Sequence, residues 1–482
     1  MRTARSPAVR GALQGVRRSH SSPHTATSCP AVLLSRHLST TTTTTPTSRP
    51  LRTGIASSRL FSKTTVPSLS LSQARHASSS SATALAKTPL YDLHLAHGAK
   101  MVPFGGFHMP VQYSSLSVSA SHAFTREHAS IFDVSHMVQR IFSGPGAAAF
   151  LQRVTPSGVE SLGVHRSTLS CLMGSDGKGG IVDDTIITRL AEEKFYVVTN
   201  AACREKDDAY FEEEMGKWNG EEVKQEQLDE WGLVALQGPQ AEEVLGKVLD
   251  GESGVDLRKV LFGQSVYARL KLQGMELSSP LLISRGGYTG EDGFEISIPA
   301  QETVGVTEAL LAAGGPEKVQ LAGLGARDSL RLEAGMCLYG HDLDDSTTPV
   351  EAGLSWIIPK ERRSANAGYY GAEVLSGQVV LRSKGGTGVQ RRRVGLIVEG
   401  APAREGAEIV SRPEEGKEAV KLGTVTSGCP SPTLGKNIAM GYVKDGFHKA
   451  GTEVDVVVRG KVRKAVVAKM PFVPTKYWKG DA

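Results

Sequence analysis

Three segments of the 482-residue chain combine residue types that could do chemistry. The first is Gly179-Gly180-Ile181-Val182-Asp183-Asp184-Thr185-Ile186-Ile187, two glycines and then adjacent carboxylates within a β-branched run. On a strand, neighbouring side chains point to opposite faces. One of Asp183 and Asp184 can therefore face a cavity while the other faces solvent or caps the turn. The flanking Ile and Val side chains would hold that lone carboxylate in a low-dielectric wall, which raises its pKa and suits it to moving protons. An ordinary polar turn at the start of a strand would use the same residues.

The second segment, Arg285 to Ile296, places four glycines around polar groups. Such density lets backbone approach a ligand closely. Glu295 stands between Phe294 and Ile296, so it projects from a strand otherwise committed to core. An ionised carboxylate accepts two parallel N–H bonds and matches an amide-amidine edge. A purely structural turn is the alternative; a calcium loop is disfavoured because the acids lack alternate spacing. In the third segment, Gly325 to Gly335, Arg327 and Arg331 are four residues apart and share a face if the segment is helical. Arg suits bidentate carboxylate binding. A solvated helix face with Asp328 and Glu333 as partners fits the same spacing.

Other candidates are weaker. The histidines at 94, 97, 122, 128 and 136 do not have the spacing of a zinc set. Ser427-Gly428-Cys429-Pro430 reads as a turn with a structural cysteine. There is no Gly-x-Ser-x-Gly elbow and no Gly-Lys-Ser/Thr phosphate loop. The five cysteines are widely spaced with no Cys-x-x-Cys, which argues against a disulfide framework or a zinc ribbon and fits a reducing compartment.

The elements that must position these residues read as mixed α and β. Lys194–Thr199 and Arg393–Val398 are β-branched or apolar runs and read as strands. Thr452–Val458 and Lys461–Ala468 flank Arg459-Gly460 and read as a hairpin. Ala241, Val244, Leu245, Val248 and Leu249 recur at helical spacing after Pro239, and Gln301–Leu311 reads as a second helix. No βαβ alternation appears, and Gly323-Leu324-Gly325 lacks the third glycine of a dinucleotide fingerprint, so a Rossmann domain is unsupported. Residues 359–388 read as linker-like and everything after them as all-β, which puts a domain boundary near 375.

The net charge of +5 is the sum of two unlike parts. The first 91 residues contain no acid and hold 12 of the 55 Lys/Arg, leaving 43 against 50 acids, a net −7, in the rest. The basic excess is thus outside the folded body, which argues against a nucleic-acid protein. The first ~80 residues are Arg-rich, Ser/Thr-rich and acid-free, the composition of a mitochondrial transit peptide and of a segment that does not fold. Arg59-Leu60-Phe61-Ser62, and more weakly Arg75-His76-Ala77-Ser78, resemble matrix-protease cleavage sites. No apolar run approaches the ~18 residues that span a bilayer.

Eight ordered segments together resemble one family, the aminomethyltransferase or T-protein of the mitochondrial glycine cleavage system. They are TPLYDLHLAHGAKMVPFGG (88–106), IFDVSHM (131–137), GGIVDDTII (179–187), ALQGP (235–239), GGYTGEDGFEIS (286–297), ARDSLRLEAGMCLYGHD (326–342), TSGCPSP (426–432) and KMPFVPTKYW (469–478). The resemblance implies an α+β, three-domain cloverleaf: a disordered transit peptide (1–80), two interleaved lobes forming a folate-binding module (86–375) and a C-terminal β-barrel (376–482). It implies Asp184 as the catalytic carboxylate, Glu295 as the pterin-binding acid, Arg327 as the folate-tail arginine and Tyr477 as the aromatic that closes the folate site. Met137, Leu169, Tyr196 and Asn200 look like the remaining pocket wall and donors. It further implies tetrahydrofolate as co-substrate, the lipoylated H-protein as partner and carrier, no metal, and a place in the mitochondrial matrix. The intact Asp-Asp pair disfavours a non-catalytic folate-binding scaffold or assembly protein of the same fold, the alternative from another class. The absence of a flavin-binding Rossmann domain disfavours a demethylating dehydrogenase.

Overall fold

The computed structural model describes residues 84–413 and 418–481. The leader expected over residues 1–80, with its two cleavage-site candidates, lies outside them. Within the described residues the chain is built on two large sheets, a two-stranded sheet of Ala99–Phe104 and Phe107–Tyr113, and a closed barrel. The first sheet has six strands in the order Gln264–Ala268, Leu281–Arg285, Gly293–Ile298, Gly232–Gln237, Ala129–Asp133 and Val319–Ala322. Only the last pair, Val319–Ala322 with Ala129–Asp133, is parallel; the other neighbours are antiparallel. The second sheet has five antiparallel strands in the order Ser167–Met173, Ile181–Ala191, Lys194–Thr199, Val138–Ser143 and Lys224–Gln227.

The two sheets are interleaved in sequence. The chain leaves the first sheet at Asp133, builds the whole second sheet, and re-enters the first at Gly232. After the first sheet is complete it returns: Leu343, Val350, Ile358, Tyr369 and Leu375 pack against Cys171, Met173 and Ile181 of the second. Residues 359–388 are therefore not a free linker. Their helix Ala372–Val379 buries Ala372 and Leu375 in that core. The C-terminal strands Arg391–Val398, Lys436–Lys444, Lys421–Ser431, Glu408–Ser411, Glu453–Val458 and Lys461–Ala468 close the barrel around valine, leucine and alanine side chains.

Alternation along single strands distributes side chains between cores. In Lys194–Thr199, Phe195 and Val197 join the Phe142/Phe150/Phe211 cluster, while Tyr196 and Val198 face the cluster between the two sheets. The helix Ala241–Val248 buries Ala241, Val244, Leu245 and Val248, with Glu242 and Glu243 at its positive end. The second expected helix runs Ala300–Gly314. Arg459 and Gly460 both adopt positive φ, 53° and 74°, the geometry of a two-residue hairpin turn. Ser427 to Pro430 is not a turn: it lies inside Lys421–Ser431, where Cys429 pairs with Ile438. A cysteine-proline pair signals a turn only if nothing else claims the backbone, and here a barrel neighbour does.

Candidate functional site

The Gly-Gly turn at 179–180 is dictated by contact. Gly179 has φ 77°, and a Cβ on Gly180 would lie 1.9 Å from the carbonyl oxygen of Asp345. From this turn the strand Ile181–Ala191 starts, and its alternation separates the two acids. Ile186 and Thr188, of Asp184's parity, line a narrow cleft between the sheets, together with Tyr196, Ser284, Glu295 and Ser297. Ile187, of Asp183's parity, enters the core under the helix Arg204–Gly216. Neither acid faces solvent as one of them was expected to: Asp183 is fully buried and Asp184 partly so. The strand has core on one face and the inter-sheet cleft on the other, where solvent reaches Ile186 but Asp184 stays half-buried.

Asn200, at the end of the neighbouring strand, ties the pair together. Its backbone N–H donates to Asp183 Oδ2 and its amide to Asp183 Oδ1, both at 2.8 Å. The same amide nitrogen donates to Asp184 Oδ1 at 2.9 Å. Burial pushes the Asp184 carboxyl up to about 7; the charge of Asp183 adds to this and the Asn200 bond opposes it. Asp183 is also raised, by burial first and then by a third acid, Asp207. The expected lone carboxylate is thus one of three. Asp207 lies in Arg204-Glu205-Lys206-Asp207-Asp208, which reads as a solvated helix start; nothing in it marks one acid as buried.

Glu295 projects from Gly293–Ile298, a central strand of the first sheet, into the cleft that Tyr196 lines from the second. Burial raises its carboxyl, and the field of Arg327 opposes that rise. Arg327 lies on the helix Leu324–Glu333, its guanidinium 4.7 Å from the ring centroid of Tyr288. Its Nη1 is buried without a hydrogen-bond partner. Burial lowers its pKa, and Glu295 counters this. Tyr196 donates to Gln139 Oε1 at 2.7 Å, and Ser297 donates to the same oxygen. Met137 packs on the inter-sheet cluster that includes Tyr196 and Ala326. Leu169 pairs across the ladder with Ile186 and packs on the Cys171 cluster.

Tyr477 is placed differently. Its ring stacks on Phe262 at 4.0 Å, beside Arg126 and Glu291, and its buried hydroxyl has no partner. It flanks the 286–292 loop, which the tail grips through Lys476 N–H to the Gly290 carbonyl and Trp478 N–H to Asp292. The other arginine of the third segment also departs from expectation. Arg331 is buried, with Nη1 on Asp342 at 2.7 Å and Nη2 on Ser427 of the barrel at 2.9 Å. It is neither a ligand-binding partner of Arg327 nor a solvated surface group.

Residues not singled out beforehand complete the neighbourhood. Tyr288, whose hydroxyl donates to the Cys337 carbonyl, supplies the face on which Arg327 rests. Gln139 anchors Tyr196 and Ser297. Tyr288 sits in a glycine-rich segment already marked for close approach, whereas Gln139 carried no signal. His94 and His122 pair with Asp133 and Glu333. Among the described residues no helix is long and apolar enough to cross a membrane.

Comparison with known proteins places this geometry in a family. Residues 90–362 match the GCVT N-terminal domain, and residues 391–474 match the glycine cleavage T-protein C-terminal barrel domain. A probable mitochondrial aminomethyltransferase of Schizosaccharomyces pombe is 48% identical over 405 residues, covering 84% of this chain and 97% of that protein. The mitochondrial aminomethyltransferases of Mesembryanthemum crystallinum and Homo sapiens are each 47% identical, covering 82% of this chain and 91% of theirs. The crystal structure of the glycine cleavage system aminomethyltransferase T from Bartonella henselae superposes with a TM-score of 0.71 at 39% identity, over 82% of this chain and all of that one. With both domain models matched in order, and relatives of nearly equal identity over almost their whole length, the chain belongs to the aminomethyltransferase (T-protein) family of the glycine cleavage system.

Proposed function

We propose that the chain works in the mitochondrial matrix, passing the one-carbon unit of an aminomethyl group on the dihydrolipoyl arm of the H-protein to tetrahydrofolate. The products are 5,10-methylenetetrahydrofolate, ammonia and the reduced lipoyl arm. One observation carries the assignment of roles: a carboxyl raised to about 7 sits on the cleft-facing side of its strand, opposite a sheet that presents Glu295 to the same cleft. A group with that pKa exchanges protons in both directions near neutral pH.

Each role follows from what the side chain can do. Glu295 orients the pterin through paired N–H bonds. Arg327, over the Tyr288 ring and with an unsatisfied Nη1, holds the carboxylate-bearing tail of the folate. Tyr477, with its free hydroxyl beside the 286–292 loop, closes that end of the folate site. Tyr196 lines the cleft, Met137 and Leu169 back it from the clusters on which they pack, and Asn200 holds Asp184 in register. Asp184 accepts the proton shed as the folate nitrogen attacks the methylene carbon, and its charge favours the iminium-like transition state. It then returns a proton to the departing sulfur or amine. Holding two reactants together in a dry cleft supplies the rest of the acceleration. The division of the chain near residue 375 into folate-binding module and barrel belongs to the same proposal; the helix Ala372–Val379 spans that point, and the barrel strands begin at Arg391.

The test mixes the purified protein with aminomethylated H-protein, with and without tetrahydrofolate, and follows ammonia and methylenetetrahydrofolate. Folate-dependent release of both is expected, with Asp184→Asn slower by roughly 10²–10⁴. Tight folate binding with no ammonia would favour the scaffold alternative, and an Asp184→Asn protein near wild-type rate would remove the role assigned to that residue.

A further inference from the structure

We propose that Asp183 and Asp207 form a buried carboxyl pair holding one proton between them, and that this pair, through Asn200, positions Asp184 and sets the negative charge behind it. The proposal rests on the reading of Asp184 as the proton carrier. Asp183 and Asp207 are positioning residues; neither faces the cleft.

Both acids are fully excluded from solvent. Asp183 spends both oxygens on Asn200, at 2.8 Å each, and its other side meets Asp207. Neither oxygen of Asp207 accepts a well-aligned hydrogen bond, although the neighbouring Thr199 hydroxyl opposes the rise of its pKa. Phe211, one turn along the helix from Asp207, belongs to a cluster with Phe142 and Phe195, all three without exposed surface. Two carboxylates in contact in such a medium cannot both be ionised, so one proton stays. It belongs to the pair rather than to either acid.

The groups facing the pair do not replace that proton. Arg140, on the strand Val138–Ser143, donates from Nη1 to Thr199 at 2.7 Å and from Nη2 to Asp208. Lys206, one residue before Asp207, donates to Tyr339 and to Asp345 at 3.3 Å. Both cations are engaged away from the pair, though both favour a negative Asp207. Cys203 on the turn before the helix, Cys171 on the strand across from Asp184, and Tyr339 are all raised by burial and stay neutral. Asp342, after the Arg331 helix, adds a further negative field at Asp184. The charge nearest behind Asp184 is therefore that of the pair. The two hydrogens of the Asn200 amide are divided between Asp183 and Asp184, so the position of one acid is registered to that of the other.

The pair makes an asymmetric prediction. In Asp207→Asn the remaining charge sits wholly on Asp183, next to Asp184. In Asp183→Asn it sits on Asp207, one residue further back. The acid limb of the pH–rate profile for methylenetetrahydrofolate formation should move up by about one pH unit in the first and down by about one in the second, with the double variant lowest. Merely structural damage would lower the rate without splitting the limbs in opposite directions. Limbs that stay at the wild-type position, or move the same way, overturn the pair while Asp184→Asn remains inactive. An active Asp184→Asn overturns instead the reading on which the pair depends. Should either single variant fail to fold, infrared pH-difference spectra of the Asp184→Asn protein decide. A protonated carboxyl band persisting at pH 7 is expected, and its absence overturns the proposal.

Discussion

Two clusters of buried carboxylates in this molecule have opposite characters. In the seam between the helix Leu324–Glu333 and the barrel, Glu333 has no exposed surface. It accepts from Arg126 Nη2 at 2.8 Å, from the Thr433 N–H at 3.1 Å and hydroxyl at 2.8 Å, and from the Ser431 hydroxyl, with His122 Nε2 at 3.2 Å. Burial alone would raise its pKa, but these donors outweigh it and bring the group down to about 2. Beneath the cleft, Asp183 and Asp184 share one asparagine and Asp207 accepts no well-aligned hydrogen bond; there burial wins, and Asp184 rises to about 7. Burial does not separate the two clusters; the number and charge of the donors does. The seam is satisfied and holds two domains together. The site is left short of donors, and that shortage leaves Asp184 able to take and return a proton.

The comparison breaks first at Asp184. Asp184→Asn should lose roughly 10²–10⁴ in rate. The same variant should nonetheless unfold no more easily than wild type. A raised carboxyl binds its proton more tightly folded than unfolded, so its ionisation costs stability as pH climbs from about 4 through 7. Thermal unfolding at pH 8 should show the variant more stable, with the gap closing by pH 4; a less stable variant at pH 8 would contradict the donor argument.

Glu333→Gln should do the reverse. Its lowered pKa contributes about 3 kcal/mol, present above the unfolded value of about 4.5 and lost as pH falls towards 2. Denaturant unfolding at pH 7 should register that loss, while the turnover of the folded fraction stays within a few-fold of wild type. A smaller step is expected at Arg327→Lys, which keeps the charge but gives up the contact with the Tyr288 ring and the fork that meets a carboxylate. KM for the folate should rise roughly tenfold with kcat little changed; an unaltered KM would detach Arg327 from the folate tail. The smallest effect belongs to an exposed pair. Lys318→Ala, which removes a 2.6 Å contact to Glu243 at the surface, should change stability by about 0.5 kcal/mol or less.

What could be read from sequence follows the range of the interactions. The strand Lys194–Thr199, the hairpin around Arg459-Gly460 and the helix that starts after Pro239 are specified by neighbours within a few residues, and each stands where its pattern put it. Glu295 was legible because a charge between Phe294 and Ile296 conflicts with its own strand, and a local conflict of that kind marks a site. Asp207 was not legible. Its helix reads as a polar run, and its burial depends on the second sheet lying over it. The segment 359–388 likewise looks like a linker because its apolar residues find partners nearly 200 positions earlier, at Cys171 and Ile181.

The sequence by itself determined the family and, through the resemblance its ordered motifs carry, the α+β architecture with its barrel; which of Asp183 and Asp184 faces the cleft it left open. Family and architecture depend on ordered motifs and on short-range periodicity, which survive without coordinates. Only the tertiary structure decided the protonation chemistry. Whether an acid is held charged, as Glu333 is, or pushed towards neutrality, as Asp184 is, depends on donors brought from distant parts of the chain. Arg126, Ser431 and Thr433 converge on one carboxylate, and Asn200 alone serves two others. A carboxylate's pKa is set by what stands within a few ångströms of it, and the fold decides which residues those are.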